Sequence, residues 1–123
     1  MAKKRVVYYV DKQRDNPVWD FIEALPPNER MKCFEYIAYL EEMGEMVKRP
    51  VGDYLGNKLY ELRPKQTRIL YFFILKDYAV LLHAFRKKTD EIPKREMDVA
   101  QKRMNDFILR HKKGQLQLEG DKK

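Results

Sequence analysis

The sequence predicts an α+β domain in which helices pack on a small antiparallel sheet, in the order β-α-α-β-β-β-α. Three observations lead there. Runs rich in β-branched and aromatic residues, Leu59–Arg63, Arg68–Leu75 and Tyr78–Phe85, are joined by connectors short enough to make an antiparallel meander. Two helical patterns precede them and one follows. The 123 residues, 44% of them hydrophobic, suffice for one domain with its own core and leave little room for a second.

Val6–Val10, another β-branched and aromatic run, reads as the first strand. Asn16-Pro17 then starts a helix, with Asn as N-cap and Pro at the first helical position. Val18, Phe21, Ile22 and Leu25 recur at helical spacing until Pro26-Pro27 breaks the pattern. A second helix is expected from Asn28 to Met43, with Met31, Phe34, Ile37, Ala38 and Leu40 on its apolar side. Gly44 is placed to cap it with a left-handed residue. Residues Lys48–Lys58 contain Pro50, Gly52 and Gly56 and read as a loop. After the three strands, Thr89 or Asp90 can cap a last helix with Pro93 in its first turn. Met97, Ala100, Met104, Phe107 and Ile108 give that helix an apolar face. The domain is expected to span 1–111, and the polar residues 112–123 to be a disordered tail.

Charge narrows the choice of partner. There are 26 Lys and Arg against 19 Asp and Glu, a net +7. A polyanion is the natural complement: nucleic acid, or an acidic protein that masks the basic surface. The single cysteine, Cys33, can form neither an intramolecular disulfide nor a zinc site by itself, and its helical neighbours read it as a small buried residue. Met1–Arg5 is basic but lacks the apolar segment of a signal peptide. The longest apolar run, Ile69–Leu75, is too short to span a bilayer. A cytoplasmic protein without a membrane partner is expected. His83 and His111 are far apart, no carboxylates have metal-ligand spacing, and neither a glycine-rich phosphate loop nor a nucleophile elbow is present. No metal and no cofactor are therefore expected.

Threading the hairpins assigns side chains to faces. Pairing Arg63 with Arg68, and Leu75 with Tyr78, sets Glu61 opposite Leu70, Leu70 opposite His83, and Arg68 opposite Phe85. Side chains alternate along a strand and paired residues share a side. One face then carries Tyr60, Leu62, Ile69, Tyr71, Phe73, Val80, Leu82 and Ala84, and is the core face. The other carries Glu61, Arg63, Arg68, His83, Phe85 and Lys87 at one end. Phe72, Ile74, Ala79 and Leu81 lie at its other end and need a cover such as a helix. Cleavage of RNA by its own 2′-hydroxyl needs a base, an acid and cations around the phosphorane. Glu61 and His83 can be base and acid in either order. Arg63, Arg68, Lys87 and Lys88 supply charge, with Arg68 expected to be exposed. Phe85 can stack on a base. The plainer reading is a solvated face with an internal Glu61–Arg68 ion pair.

The segments Leu59-Tyr60-Glu61-Leu62-Arg63, Arg68-Ile69-Leu70-Tyr71-Phe72 and Leu81-Leu82-His83-Ala84-Phe85-Arg86-Lys87-Lys88-Thr89 resemble the phage-derived, HigB-like branch of the RelE/ParE toxin superfamily. Pro93-Lys94-Arg95-Glu96, running on to Ala100 and Arg103, extends the resemblance, which covers roughly residues 6–110. It implies a RelE-like fold and a type II toxin–antitoxin role as a ribosome-dependent endoribonuclease, an mRNA interferase. It also implies three partners: the ribosome, mRNA and a cognate antitoxin of helix-turn-helix type. Arg68 matches the arginine that opens the family's central strand. Lys87 and Lys88 match its basic residues after the last strand, beside Arg86. RelE itself carries lysines where Leu59 and Glu61 stand here, so a carboxylate-and-histidine scheme is favoured. The catalytic set implied is Glu61, Arg63, Arg68, His83 and Lys87, and the RNA-binding set Phe85, Arg86 and Lys88. The alternatives are a ParE-like gyrase inhibitor and a non-toxic, phage-derived nucleic-acid-binding protein, since one scaffold serves several functions.

Overall fold

The structure is a computed structural model that describes residues 3–115. The expected tail falls mostly at 116–123, outside the described residues. In chain order the elements are β1 (Arg5–Tyr8), α1 (Pro17–Glu23), α2 (Pro27–Met43), a 3₁₀ turn (Gly44–Met46), β2 (Gly52–Gly56), β3 (Leu59–Leu62), β4 (Thr67–Ile74), β5 (Tyr78–Arg86) and α3 (Lys94–Lys112). The strands form one sheet, β1-β5-β4-β3-β2. All neighbours are antiparallel except β1 and β5, which are parallel: α1 and α2 carry the chain from β1 to β2 at the opposite edge, and the meander β2–β5 returns it to β1. The described residues are thus mixed α+β: three α-helices on a five-stranded, mostly antiparallel sheet.

The helix signals act as expected at α1, where the Asn16 side chain accepts from the Trp19 N–H at 3.2 Å and Pro17 occupies the first turn. Helix α2 starts at Pro27, not Asn28, since a proline is as well suited to open a helix as to end one. Gly44 caps it with φ of 54°, its N–H donating to the Leu40 carbonyl. Helix α3 opens at Lys94 directly after Pro93; Thr89 instead turns its hydroxyl to the Glu91 carbonyl and caps nothing.

Two expectations about the sheet need correction. The segment 52–56, read as loop, is the edge strand β2, so the order is β-α-α-β-β-β-β-α. Gly52 misled because its role is close approach, not turning. A Cβ there would lie 2.6 Å from the Glu61 carbonyl oxygen of β3 and 2.8 Å from Val47 Cγ1. The turn that follows is made by Asn57 and Lys58, both at positive φ (53° and 69°), which matches the twist of a tight hairpin.

The second correction concerns register. The β4–β5 turn holds three residues, Leu75–Asp77, so Ile74 and not Leu75 pairs with Tyr78. A β-bulge between Leu70 and Tyr71 then shifts the ladder by one and restores Leu70 opposite His83 and Arg68 opposite Phe85. Threading is therefore right in the half that carries the polar groups and wrong in the half next to the turn. Val80 and Leu82 belong to the α3 face, with Leu70, Phe72, Ala100, Met104 and Phe107. Ala79 and Leu81 belong to the α1/α2 face, with Val18, Ile22, Ile37, Leu40, Ile69 and Tyr71. The apolar end of the second face is covered by a helix as expected, and that helix is α3. Cys33 is buried in the α1/α2 layer, where burial pushes its thiol up to about 11.

Candidate nucleic-acid interface

The bulge decides what the α3 face carries. It sets Leu82 and His83 both toward α3, leaving Leu81 and Ala84 on the opposite face. Glu61 on β3 and His83 on β5 both stand opposite Leu70 on β4. They share a face and a row, but they are two strands apart, about 10 Å, with the fully buried Leu70 between them. The fold does not join the two groups into an acid–base pair.

Each has found other partners. Glu61 is 2% exposed and accepts a hydrogen bond from Arg63 Nη1 at 2.7 Å. Arg68 Nε lies 3.8 Å from its other oxygen. Arg68, expected to be exposed, is 5% exposed. Its guanidinium folds back on its own hairpin, donating to the Lys65 and Thr67 carbonyls, both at 2.9 Å. Burial lowers its pKa, and the like charge of Arg63 adds to that.

His83 is held from α3. Its Nε2 is 2.6 Å from Glu96 Oε1, and its Nδ1 faces Arg103 Nη1 at 3.3 Å. Arg103 only donates, so Nδ1 accepts and the proton sits on Nε2, donated to Glu96. The imidazole is neutral: burial depresses its pKa, Arg103 adds to this, and Glu96 opposes it. The seam continues along the helix. Arg103 also donates to the Leu82 carbonyl at 2.9 Å and lies over the Tyr9 ring. Tyr9 donates to Asp106 at 2.7 Å, and Arg110 bonds both Asp106 and the Val10 carbonyl. Burial, helped by Asp106, pushes Tyr9 up to about 12. Burial alone would raise Asp106, but its bonds to Tyr9 and Arg110 hold it below the usual carboxylate range.

Two clefts border the segment that links β5 to α3. The first, about 340 Å³, is lined by Arg49, Asp53, Leu55, Glu61, Asp90, Glu91, Ile92 and Met97. Of its lining carboxylates, Asp53 is already paired with Arg49 of the same cleft (2.9 Å), and Glu61 and Asp90 with Arg63 (2.7 Å) and Lys87 (3.2 Å) beside it. The second, about 160 Å³, is lined by Phe21, Phe85, Arg86, Lys88, Pro93, Arg95 and Glu96. Phe85, expected to stack on a base, is instead 7% exposed and packed in the α3-side core, with His83 behind it, ring centroids 5.4 Å apart and planes 27° from parallel. Phe21 is the more exposed ring of this cleft. Here charge is left over. Arg86 bonds Glu29 of α2 at 3.0 Å, Arg95 lies 3.6 Å from Glu96, and Lys88 is exposed with no ionic partner among the described residues.

Of the expected site residues, the structure groups Glu61, Arg63 and Arg68, and places Lys87 at Asp90, which lines the Glu61 cleft. It groups Phe85, Arg86 and Lys88 around the second cleft and sends His83 into the α3 seam. Tyr71, read as core, is 1% exposed. Residues missed as site components are Phe21, Arg95, Glu96, Arg103, Asp106 and Arg110. One signal was available: Glu96, Arg103 and Arg110 recur every seven residues, about two helical turns, along the border of the apolar stripe. Among the described residues no group of three or more His, Cys, Asp or Glu is arranged to hold a metal ion, and no helix is long and apolar enough to cross a membrane.

The described residues make a small α+β protein with basic side chains gathered at a cleft beside Phe21 and Phe85. A family model described as phage-derived protein Gp49-like matches residues 20–105. The chain belongs to that family, which lies within the RelE/HigB-like superfamily of type II toxins. Membership of a toxin family implies a cognate antitoxin as partner. No curated protein matches the chain.

Proposed function

We propose that the protein is the toxin of a type II toxin–antitoxin pair, on a RelE-like scaffold of the HigB branch, and that it cleaves mRNA on the ribosome without a metal. The observation that carries this reading is the second cleft: surplus cations over an aromatic wall, in a member of a toxin superfamily. Arg86, Lys88 and Arg95 meet phosphates, and the partly exposed Phe21, beside the buried Phe85, meets a base. The chemistry falls to the neighbouring cleft. Glu61 takes the 2′-hydroxyl proton, and Lys87 protonates the departing 5′-oxygen. Arg63 and Arg68 supply positive charge to the phosphorane. His83, whose two ring nitrogens are both engaged, positions α3 through Glu96 and Arg103.

A second reading, a ParE-like inhibitor of gyrase that cuts nothing, is favoured by one observation. Glu61 and His83 stand in separate ion networks, and a pure inhibitor needs no acid–base pair. The deciding experiment is induction in growing cells followed by mapping of mRNA 5′ ends. Codon-phased cuts are expected; DNA damage without cuts would replace the first reading with the second. A small helix-turn-helix protein encoded beside the chain would be the expected antitoxin.

A further inference from the structure

The second cleft has a feature that phosphate binding alone leaves unexplained. A site for bare phosphate would be lined by cations and N–H donors. This one places a carboxylate, Glu96, among Arg86, Lys88 and Arg95, and sets Phe21 and Phe85 in its wall. The carboxylate is held firmly. Its Oε1 is bonded to His83 Nε2 at 2.6 Å, and His83 is itself fixed by Arg103 and by its stacking on Phe85. Its Oε2 has only the loose contact to the exposed Arg95, 3.6 Å away. A carboxylate offers about four lone-pair sites, so acceptor capacity remains free on a group with a fixed position.

We infer that this cleft is a nucleobase pocket and that Glu96 makes it selective for guanine in single-stranded RNA. The inference deepens the ribonuclease reading and rests on it. The aromatic part of the wall, of which Phe21 and not the 7% exposed Phe85 is the accessible ring, takes any base face and so binds without discrimination. Selectivity must come from the polar group, which here can only accept. The Watson–Crick edge of guanine presents two adjacent donors, N1–H and the 2-amino group, which a carboxylate can meet together. Adenine and cytosine offer one amino group beside a ring acceptor, and uracil one N–H between two carbonyls. Each of these would set a lone pair against the Glu96 anion. The three cations around the pocket then take the flanking phosphates, with Lys88 the first to engage because no carboxylate holds it. A duplex cannot present this edge, so the base must be unpaired.

The test is equilibrium binding of five-nucleotide RNAs that differ only in the middle base: UUGUU, UUAUU, UUCUU, UUUUU, and UUIUU with inosine, which lacks the 2-amino group. UUGUU is expected to bind tightest, roughly 5- to 100-fold over the others, the range for one bidentate base contact. UUIUU should lose much of that margin. Glu96→Gln keeps an oxygen for His83 but turns amide N–H groups to the pocket, and should abolish the guanine preference while UUUUU binds at least as tightly as before, since an anion that opposes uracil and the phosphates is gone. Lys88→Ala should weaken all five alike, and thermal melting confirms that both variants are folded. Equal binding of all five RNAs would overturn the inference, as would a guanine preference that survives in Glu96→Gln, or displacement of RNA by an acidic peptide with no base effect. The ribonuclease reading fails separately. Codon-phased cuts in cells with no guanine at the cut sites would leave that reading standing and remove this one, whereas a guanine preference without any cuts would do the reverse.

Discussion

The two clefts beside the β5–α3 connection draw on neighbouring stretches of the same segment, yet their electrostatics differ. Around the Glu61 cleft Arg49, Arg63 and Lys87 each have a carboxylate within 3.2 Å, Arg68 has Glu61 at 3.8 Å, and Glu61 itself is almost wholly buried. In the Phe85 cleft, among the described residues, Lys88 has no carboxylate partner and Arg95 only a loose one. Ion pairs already made must be broken before a phosphate can use them, whereas an unmatched lysine is ready. A cluster of arginines in a sequence does not by itself locate anion binding. What locates it is the positive charge left after the protein's own carboxylates are served. Arg63 and Arg68 are thus part of how β3 and β4 are held together, and the unmatched charge lies toward α3.

The sharpest way to break this comparison is Arg68→Ala. Removing the guanidinium takes the charged donor from two backbone carbonyls and one of two cations from Glu61, at about 3 kcal/mol in all. Glu61 would retain only Arg63, and the Lys65 and Thr67 carbonyls would lose their donor. The variant should show a markedly lower urea midpoint. Full stability with toxicity lost would mean that Arg68 acts on substrate and not on the fold. Next comes Gly52→Ala, which presses a methyl group against the Glu61 carbonyl and Val47. Overpacking of this kind costs about 2 kcal/mol. It should loosen the β2–β3 side of the Glu61 cleft without weakening RNA binding at the Phe85 cleft. A matching loss of RNA affinity would show that the two clefts are one site.

A smaller effect tests the surplus charge directly. The triple substitution Arg86→Ala, Lys88→Ala and Arg95→Ala should change stability little, because these are surface side chains whose ion pairs contribute about 1 kcal/mol at most. Its signature is in salt dependence. Each lost phosphate contact on a single strand lowers the slope of log K against log salt by about 0.7, so the slope should fall by about 2. Ribosome cosedimentation at low and high salt gives the same comparison in the assembly. The antitoxin should compete for this surface, since an acidic segment would need the same cations. An unchanged slope would move the RNA contact elsewhere.

What the sequence revealed and hid follows from the kind of information each feature leaves in it. The meander, the α3 stripe and the row Glu61–Leu70–His83 were legible because alternation and short connectors leave few arrangements. The bulge was not, since an extra residue in a ladder looks like any other in the sequence. Val80 and Leu82 were consequently placed on the wrong face, while His83 was placed correctly because the bulge offset the error in turn length. Edge strand β2 was hidden by Gly52 and Gly56, residues that signal turns unless the close approach of β3 is known. The burial of Arg68 was hidden for another reason. An arginine on a charged face reads as solvated, and only the path of the Pro64–Gln66 loop brings carbonyls to it. His83 was correctly drawn to the α3 face, but its partners lie on a helix that hairpin threading does not position.

The α3 seam offers the finest test, through pH. Folding depresses the pKa of His83, so between that value and the ordinary 6.5 the unfolded chain holds the extra proton. Stability therefore rises with pH across this window. The contribution is complete above about 6.5 and is lost as pH falls through the folded value. The structure supplies the cause: protonating Nδ1 would set an N–H against the Arg103 guanidinium and replace an accepted hydrogen bond with two facing cations. Glu96 relieves part of this as the one anion bonded to the ring. Urea midpoints measured between pH 7.5 and 5 should fall toward the acid end. His83→Gln keeps a donor for Glu96 but does not titrate, and should flatten the profile. His111 is common to both proteins and cancels in the difference, and Asp106, whose pKa is lowered, titrates below this range. If the two profiles run parallel, His83 is not held neutral by the seam, and its place as a positioning residue for α3 fails with it.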